Sequence, residues 1–327
     1  MVLFSSSVFW WSTSTTPVLR GQSARRKLQR QPCYCAASLG GVNAPVERMD
    51  EVIKMTATES VLGLDFRLIT PETELYMASA GDLEQLPCGE PYWGFCWPGS
   101  YALADYIDQN PHLVRGKRVL DVGSGCALAS LAALRAGATH VIANDIDPWC
   151  SSAAAVNFRL NSRHLIDVSG FMELSETDLL CPSSLLTKSG TTVATGAQQA
   201  DVILAGDICY EQPLATCVKE WILRQLLTTH KRSGQPSLQG PVTDAEEAVP
   251  VKVFIGDPGR QQFVESFLQV KEDSVHDLAC RSSEEALSNL TVCKVHSVTP
   301  REKFVADTSY GMSDAQVWQV ALNNHHI

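Results

Sequence analysis

From Gly99 onward, short apolar segments alternate with helix-like segments, and this alternation restricts the fold more than any other feature of the sequence. Strands that alternate with helices form a parallel sheet whose two faces are covered by the helices. We predict strands at 118–122, 140–143, 168–172, 200–205 and 251–255. We predict helices at 100–110, 127–136, 148–160, 213–229 and 261–269. The alternating segments 291–298 and 315–322 predict an antiparallel pair of strands on the same sheet.

The residues before Gly99 have a different pattern. Residues 44–60 predict a short helix, and residues 64–78 alternate enough to predict a hairpin or two short strands. The stretches 183–199 and 231–249 are rich in Gly, Ser, Thr, Pro and charge, which is typical of surface insertions. The hydrophobic share of 45% is enough for a full-sized core. No apolar run approaches the roughly 20 residues of a membrane span.

The first 42 residues have the composition of a targeting segment. They are rich in Ser and Thr and contain several arginines, and the first acidic residue of the chain is Glu47. Mitochondrial and chloroplast transit peptides are basic, amphipathic and poor in acids. A secretory signal fits less well, because its charges should precede the apolar run, whereas here they follow residues 8–11. We therefore expect a transit peptide; a plain disordered tail is the alternative.

The net charge restricts the possible macromolecular partners, and the cysteine spacing bears on metal binding. The formal net charge is −10, although the first 46 residues carry five basic residues and no acid. An acidic body disfavours nonspecific nucleic-acid binding and suits a basic protein surface, although solubility explains the same charge. The eleven cysteines include no Cys-x-x-Cys pair, which argues for reduced thiols and against a zinc site. We predict no metal.

Residues 119–126, Val-Leu-Asp-Val-Gly-Ser-Gly-Cys, run from an apolar strand into a turn with two glycines. In an open parallel sheet, ligands bind beyond the carboxyl ends of the strands, and glycine lets the backbone approach them closely. A dinucleotide fingerprint requires a third glycine, but Leu128 occupies that position. Asp121 precedes the turn, and a carboxylate suits the ammonium of an amino-acid cofactor better than a pyrophosphate. The comparison favours S-adenosylmethionine over a nicotinamide cofactor; a turn without a ligand is the alternative.

Residues 142–148, Ile-Ala-Asn-Asp-Ile-Asp-Pro, end the second predicted strand about 20 residues after the glycines. An acidic residue at this place accepts the hydroxyl groups of a ribose, and Asp145 is our candidate. Asp147 immediately precedes the predicted helix. We expect it to be the helix N-cap, followed by proline at the first helical position.

The ends of the fourth and fifth predicted strands are candidates for the substrate side. Residues 204–211 end the fourth strand, beside the reactive side of the cofactor, so we expect Asp207 and Tyr210 to face the incoming nucleophile. The alternatives are that Asp207 caps a loop and that Tyr210 only packs. Residues 254–260 end the fifth strand, and Arg260 is expected either to contact an acidic group or to cap a surface loop.

Aromatic residues are concentrated in residues 91–99, before the first helix of the alternating region. Trp93, Phe95 and Trp97 share a face if this segment is extended. A sulfonium is a cation and aromatic faces attract cations, so the segment could wall a cofactor pocket. Ordinary core packing explains Trp93 and Phe95 equally well.

These five segments together resemble methyltransferase family 16 of the seven-strand methyltransferases. The residues that carry the resemblance are Pro-Tyr-Trp-x-x-x-Trp-Pro-Gly at 91–99, Val-Leu-Asp-Val-Gly-Ser-Gly-Cys at 119–126, Ala-Asn-Asp-Ile-Asp-Pro at 143–148, Gly-Asp-x-x-Tyr at 206–210 and Ile-Gly-Asp-Pro-Gly-Arg at 255–260. Their order and spacing both match, and the resemblance extends over residues 56–322. One departure is Ala127, where the family usually has glycine.

The resemblance implies an α/β, Rossmann-like methyltransferase fold with a mostly parallel sheet and a terminal antiparallel strand. It also implies S-adenosylmethionine as the methyl donor and a mitochondrial matrix address. The implied acceptor is a protein lysine, for which the beta subunit of electron transfer flavoprotein is the candidate, with neither nucleic acid nor membrane as a partner. We predict three regions, namely a transit segment 1–42, a substrate-side extension 43–98 and a cofactor-binding domain 99–327.

The predicted catalytic residues are Asp207, which would position the acceptor amine and help to accept its proton, and Tyr210, which would shape the channel. The predicted cofactor-binding residues are Trp97, Asp121, Gly123, Ser124, Gly125, Asn144, Asp145, Asp178 and Gly206. Two other classes stay open at this point. One is a nicotinamide-dependent oxidoreductase, and the other is a degenerate methyltransferase fold that only binds a partner.

Overall fold

The computed structural model describes residues 46–165, 170–180, 200–233, 250–268, 290–307 and 314–322. The predicted transit segment and almost all of the two predicted insertions lie outside these ranges. Within the described ranges, no helix is long and apolar enough to cross a membrane. The same ranges contain no group of three or more His, Cys, Asp or Glu side chains that could hold a metal ion.

The strands of the described residues form two sheets. The smaller is an antiparallel hairpin of β1 (Ala57–Val61) and β2 (Leu64–Leu68). The larger contains β3 (Arg118–Val122), β4 (His140–Asn144), β5 (Phe171–Ser175), β6 (Val202–Gly206), β7 (Lys252–Asp257), β8 (Leu290–Val298) and β9 (Ala315–Leu322). Its order is β5-β4-β3-β6-β7-β9-β8, with β3 to β7 parallel and β9 antiparallel to both neighbours. This confirms the predicted Rossmann-like methyltransferase fold.

Helices lie between most of these strands. They are α1 (Val46–Ile53), α2 (Ala80–Glu84), α3 (Pro98–Gln109), α4 (Leu128–Arg135), α5 (Pro148–Leu160), α6 (Leu214–Ser233), α7 (Gln261–Phe263) and α8 (Lys303–Asp307). A π-helical turn, Val264–Leu268, continues α7, and short 3-10 turns occupy Glu74–Met77, Tyr92–Gly94 and Pro111–Leu113.

The two faces of the large sheet pack against different helices. Along β3, Val119 belongs to a core cluster that contains α3 and α4, whereas Leu120 belongs to a cluster that contains α6. Successive side chains of a strand point to opposite faces, so this division follows from the strand period. The strands β4 and β6 are buried along their whole length, because helices cover both faces.

Two fully buried asparagines, one in α5 and one at its C-cap, attach the hairpin to the alternating region. The Asn161 amide donates to the carbonyl of Asp65 at 2.6 Å and accepts from its N–H at 2.9 Å. Asn157 accepts from the N–H of Arg67 at 2.9 Å and donates to the carbonyl of Cys126 at 3.0 Å. The region before Gly99 therefore packs directly on the helix that follows β4.

The predicted elements agree best with the structure where the sequence is most regular. The strand 118–122 and the helix 148–160 are confirmed residue for residue. The third strand was predicted at 168–172 but occupies Phe171–Ser175, and only the first part of the helix predicted at 261–269 is α-helical.

The hairpin predicted within residues 64–78 is wrong in its pairing. The partner of β2 is the preceding strand β1, and residues Leu62 and Gly63 form the turn between them. Both have positive φ values, 51° and 76°. Such two-residue turns suit the twist of antiparallel strands, but a leucine at the first position gives no sequence signal for them.

Candidate active site

The turn after β3 alternates positive φ values along the chain. They are 69° at Gly123, 51° at Gly125 and 67° at Ala127. The N–H groups of Gly123 and Ser124 donate to the carbonyl of Asn144 at 2.8 and 3.0 Å, so the turn wraps around the end of β4. A Cβ on Gly125 would meet nothing within 4 Å, which means that open space lies in front of the turn.

Ala127 is the N-cap of α4 and adopts the left-handed conformation, with φ 67° and ψ 29°. This conformation costs an L-residue ~1–2 kcal/mol, which gives a physical reason for the glycine that the family usually has there. The backbone hydrogen bonds of the turn are nevertheless formed. The Ala127 N–H donates to Ser124 at 2.7 Å, and its carbonyl accepts from Leu131 at 2.9 Å.

Asp121 is only 2% exposed and lies on the face of the sheet that α4 covers. Its carboxylate accepts a hydrogen bond from the Ser130 hydroxyl at 2.6 Å. Burial raises the pKa of Asp121 to about 6, and the charge of Asp145 adds to the effect. Sequence reasoning missed Ser130, although it is the single hydroxyl in the otherwise apolar start of a helix (Leu-Ala-Ser-Leu-Ala-Ala-Leu).

Asp145 connects the end of β4 with the glycine turn. One carboxylate oxygen accepts from the N–H of Gly125 at 3.0 Å, and the other accepts from the N–H of Asp147 at 3.1 Å. Burial raises the pKa of Asp145. Asp147 itself accepts from the N–H of Trp149 at 2.9 Å, so its prediction as the N-cap of α5, with Pro148 in the first turn, is confirmed.

Asn144 and Asp178 were both predicted to bind the cofactor; Asn144 ends β4, and Asp178 lies three residues beyond the end of β5. The Asn144 amide donates to the carbonyls of Ser175 and Thr177 at 3.1 and 2.9 Å, so it holds two strand ends together. Asp178 is half-buried and accepts from the N–H of Leu180 at 3.0 Å. Their contacts with a cofactor stay predictions.

Asp207 follows β6 with a φ of 57° and is 5% exposed. One carboxylate oxygen accepts from the Gly99 N–H at 2.5 Å, and the other accepts from Nε of Arg260 at 2.5 Å. The N-terminus of α3 and the guanidinium both attract a carboxylate. The prediction of an acid that is available to take a proton is therefore corrected: Asp207 caps α3 and forms an ion pair with Arg260.

Arg260 contacts an acidic group, as one of the two sequence interpretations expected. Its guanidinium carbon also lies 5.9 Å from the ring centroid of Trp97. The turn that carries Arg260 is held by Asp257, because one carboxylate oxygen of Asp257 accepts from the N–H groups of Gly259 and Arg260, each at 2.7 Å.

The aromatic segment is extended only in part, since Tyr92–Gly94 form a 3-10 turn whereas Phe95 and Trp97 have extended backbone. The ring centroids of Phe95 and Trp97 are 5.6 Å apart, so the predicted shared face holds for these two residues, but Trp93 lies on the turn. Trp93 and Phe95 are 0% and 5% exposed and belong to the core cluster around α1 and α5. Trp97 lies at the edge of that cluster, where it contacts both Arg260 and Tyr92.

Two tyrosines, Tyr92 and Tyr210, are stacked at the surface next to Trp97. Their ring centroids are 6.4 Å apart with an interplanar angle of 24°, and the two residues are 46% and 48% exposed. Desolvation and the neighbouring Glu211 raise the pKa of Tyr210 to about 12, so its hydroxyl stays protonated. Sequence reasoning named Tyr210 but missed Tyr92, which comes from a segment more than a hundred positions earlier.

Three glycines bring these segments together. A Cβ on Gly206 would lie 2.8 Å from Cα of Ser100, and one on Gly256 would lie 2.7 Å from the carbonyl carbon of Gly99. Side chains at these positions would push α3 away from the ends of β6 and β7. Gly206 was predicted as a cofactor-binding residue; the structure shows its packing against Ser100, and its contact with a cofactor stays a prediction.

The residues around the glycine turn fit S-adenosylmethionine. Asp121 and Asp145 place two carboxylates beside the turn, and carboxylates suit an ammonium group and ribose hydroxyls. The open space at Gly125 leaves room for a ligand to approach the backbone. A pyrophosphate would be repelled by the same two acids, so a dinucleotide fits less well.

The chain is similar to several known methyltransferases. The family model described as "Ribosomal protein L11 methyltransferase (PrmA)" matches residues 105–208. The electron transfer flavoprotein beta subunit lysine methyltransferase of Xenopus laevis is 31% identical over 252 residues, which are 77% of this chain and 77% of the relative. The Mus musculus protein of the same name is 33% identical over 216 residues, 66% of this chain and 68% of the relative. A solved ribosomal protein L11 methylase from Lactobacillus delbrueckii subsp. bulgaricus is 18% identical with a TM-score of 0.34, over 68% of this chain and 77% of that one.

The sheet has the strand order of the seven-strand methyltransferases, and the glycine turn after β3 lies between two carboxylates. This chain is therefore an S-adenosylmethionine-dependent methyltransferase of the seven-strand type. Its identity and coverage with the Xenopus and mouse proteins narrow the class further. The chain belongs to the family of electron transfer flavoprotein beta subunit lysine methyltransferases. The family resemblance seen in the sequence is thus confirmed, and the nicotinamide alternative finds no support.

Proposed function

We propose that this chain methylates lysine side chains of the electron transfer flavoprotein beta subunit in the mitochondrial matrix. The observation that carries the proposal is the match to relatives with that name, at 31% and 33% identity over two thirds or more of their length. The acid-free, arginine-containing N-terminus supports the address. The net charge of −10 suits an acceptor surface that presents lysines.

S-adenosylmethionine, when bound, supplies a methyl group on a sulfonium that a nucleophile can accept. In this chain the turn from Gly123 to Gly125 would hold the cofactor, with Asp121 on the ammonium side and Asp145 on the ribose side. The ring of Trp97 would bound the site towards the surface. The two stacked tyrosines, Tyr92 and Tyr210, form the adjoining entrance for the acceptor.

The acceptor must enter as a neutral amine, because only its lone pair can form the new nitrogen–carbon bond. A lysine in water has a pKa of about 10.4, so about one in a thousand is neutral near pH 7.4. Desolvation between aromatic side chains lowers a lysine pKa and increases that fraction. The methylated nitrogen then carries one extra proton, which passes to water. The chain contributes mainly desolvation and alignment.

The decisive experiment incubates the purified protein with labelled S-adenosylmethionine and purified electron transfer flavoprotein. Mass spectrometry should find methyl groups on lysines of the beta subunit. Asp145→Ala should label little, because it lacks the carboxylate proposed for the ribose. Ribosomal protein L11 serves as the control acceptor, since the matching family model bears its name. The proposed acceptor would be refuted if L11 or another matrix protein were labelled while the flavoprotein beta subunit carried no methylated lysine.

The proposed address is tested separately. Residues 1–42 are fused to a fluorescent protein and compared with the same fusion in which the five basic residues of that segment are replaced by glutamine. We expect the first fusion to enter mitochondria and the second to stay outside, because transit peptides depend on their basic residues. If both fusions stayed outside mitochondria, the mitochondrial proposal would be contradicted.

A further inference from the structure

Three of the family segments form one connected hydrogen-bonded unit at the substrate side. Asp257 holds the backbone of Arg260, the Arg260 guanidinium binds Asp207, and Asp207 binds the N–H of Gly99 at the start of α3. The side chains of Arg260 and Asp207 are only 12% and 3% exposed. Arg260 also lies against the ring of Trp97, so its guanidinium contacts both the buried carboxylate and this ring.

We propose that Arg260 is a positioning residue that keeps the Asp207 carboxylate from pairing with the ammonium form of the acceptor. This inference rests on the proposed function, since it concerns the amine that reacts there. A cation that enters beside Trp97 meets the fixed guanidinium before it meets Asp207. A neutral amine experiences no such repulsion.

The physical argument compares the site with and without the guanidinium. A buried carboxylate that is free to pair with an ammonium stabilises the protonated amine, and a protonated amine has no lone pair for the reaction. Arginine stays protonated at every working pH, so it occupies the carboxylate permanently. The Arg260–Asp207 pair thereby favours the neutral acceptor.

Other titratable groups face the Arg260–Asp207 pair from neighbouring elements, and their titration can also change the activity as the pH changes. Asp257 and Cys209 interact with both members of the pair, and Cys96 interacts with Asp207. Tyr210, with Glu211 and Asp145 around it, interacts with Arg260. A variant that lacks both the Asp207 carboxylate and the Arg260 guanidinium separates the effect of this pair from the effect of the other titratable groups.

The first test needs no methyl acceptor. Binding of n-butylammonium, a lysine-like cation, is measured by calorimetry at about pH 7.5 with S-adenosylhomocysteine present. We expect Arg260→Ala to bind it roughly ten-fold or more tightly than the unchanged protein. The double variant Asp207→Asn/Arg260→Ala should lose that gain. Equal binding by the unchanged protein and Arg260→Ala, or a gain that persists without Asp207, would overturn the inference.

Arg260→Gln and Arg260→Lys protect the test against a variant that does not fold. Each is first checked for binding of S-adenosylhomocysteine and for its Tm. Glutamine lacks the charge and should behave like alanine, whereas lysine keeps the charge and should exclude n-butylammonium as the unchanged protein does. If glutamine and lysine gave the same butylammonium affinity, the charge of Arg260 would not be the cause.

The second test is the pH dependence of kcat/KM with the flavoprotein. In Arg260→Gln the rise in activity should move to higher pH by about one unit, so that the loss is roughly ten-fold near pH 7 and small near pH 9.5. Arg260→Lys and Asp207→Asn/Arg260→Gln should show the original pH for the rise. A purely structural role predicts an equal loss at every pH. If the unchanged protein does not methylate the flavoprotein, the proposed acceptor fails, but butylammonium binding still decides the role of Arg260.

Discussion

Gly256 and Gly99 touch backbone to backbone, since a Cβ on Gly256 would lie 2.7 Å from the carbonyl carbon of Gly99. This contact fixes the start of α3 over the ends of β6 and β7. It also brings Trp97, which precedes α3, next to Asp207 and Arg260. The geometry of the substrate side thus depends on residues that have no side chain.

Gly256→Ala should be strongly destabilising. The added methyl would overlap main-chain atoms that cannot rotate away, so we expect a loss of about 3 kcal/mol or more in the free energy of unfolding. Gly116→Ala is the matched control, because Gly116 has a φ of 70° but a Cβ there would meet nothing within 4 Å. It should cost only ~1–2 kcal/mol. Denaturant unfolding measures both, and equal losses would contradict the close contact.

Ala127→Gly should be tolerated far better than Ala129→Gly. Both alanines are buried in or next to α4, at 0% and 1% exposure, so both variants lose a buried methyl and gain freedom in the unfolded chain. Only Ala127→Gly relieves a left-handed alanine, which is worth ~1–2 kcal/mol. The variant at 127 should therefore be the more stable by about that amount. Urea unfolding decides, and a more stable Ala129→Gly would show that Ala127 carries no strain.

The fold was predictable from the sequence wherever local pattern and burial agree. The strand 118–122 is a short apolar run before a glycine turn, and the helix 148–160 begins with an N-cap and a proline. The pairing of β1 with β2 could not be predicted, because the Leu62-Gly63 turn between them has no recognisable sequence signal. The displaced strand β5 is exposed along much of its length, so it lacks the buried pattern on which its bounds could be predicted.

The sequence predicts which residues lie at the candidate site but not which groups each of them contacts. Strand ends and spacing identify Asp121, Asp145 and Asp207 as neighbours of the ligand side of the sheet. They do not reveal which partner each carboxylate has. Arg260 lies 53 positions from Asp207, and their pairing depends on the tertiary packing of β6 beside β7. A sequence that marks an acid as reactive can therefore describe one that is already neutralised by an ion pair.

Asp145 and Asp147 should respond differently to alanine. Asp145→Ala removes the carboxylate proposed to bind the ribose, so the Kd for S-adenosylhomocysteine should rise roughly 10- to 100-fold, as expected for lost hydrogen bonds to a charged group. Asp147→Ala removes the N-cap of α5 and should cost about 1 kcal/mol of stability with little effect on that Kd. Calorimetry and thermal unfolding of both variants test the assignment, which an equal loss of affinity would refute.

Asp257 should make the protein less stable as the pH rises towards neutrality. It is 0% exposed, and among the described residues its second carboxylate oxygen has no hydrogen-bond partner. Burial first, and then the charge of Asp207, raise its pKa from 3.8 to about 7. The folded state therefore binds more protons than the unfolded state between these values, and the free energy of unfolding falls as the pH rises through them.

Asp257→Asn keeps the oxygen that accepts from Gly259 and Arg260 but cannot ionise, so denaturant unfolding should show a smaller fall between about pH 4 and 7. Asp82→Asn is the control: the pKa of this carboxyl is lowered by Ser79, so it titrates below that window. An unchanged slope in Asp257→Asn would show that Asp257 does not titrate near neutrality.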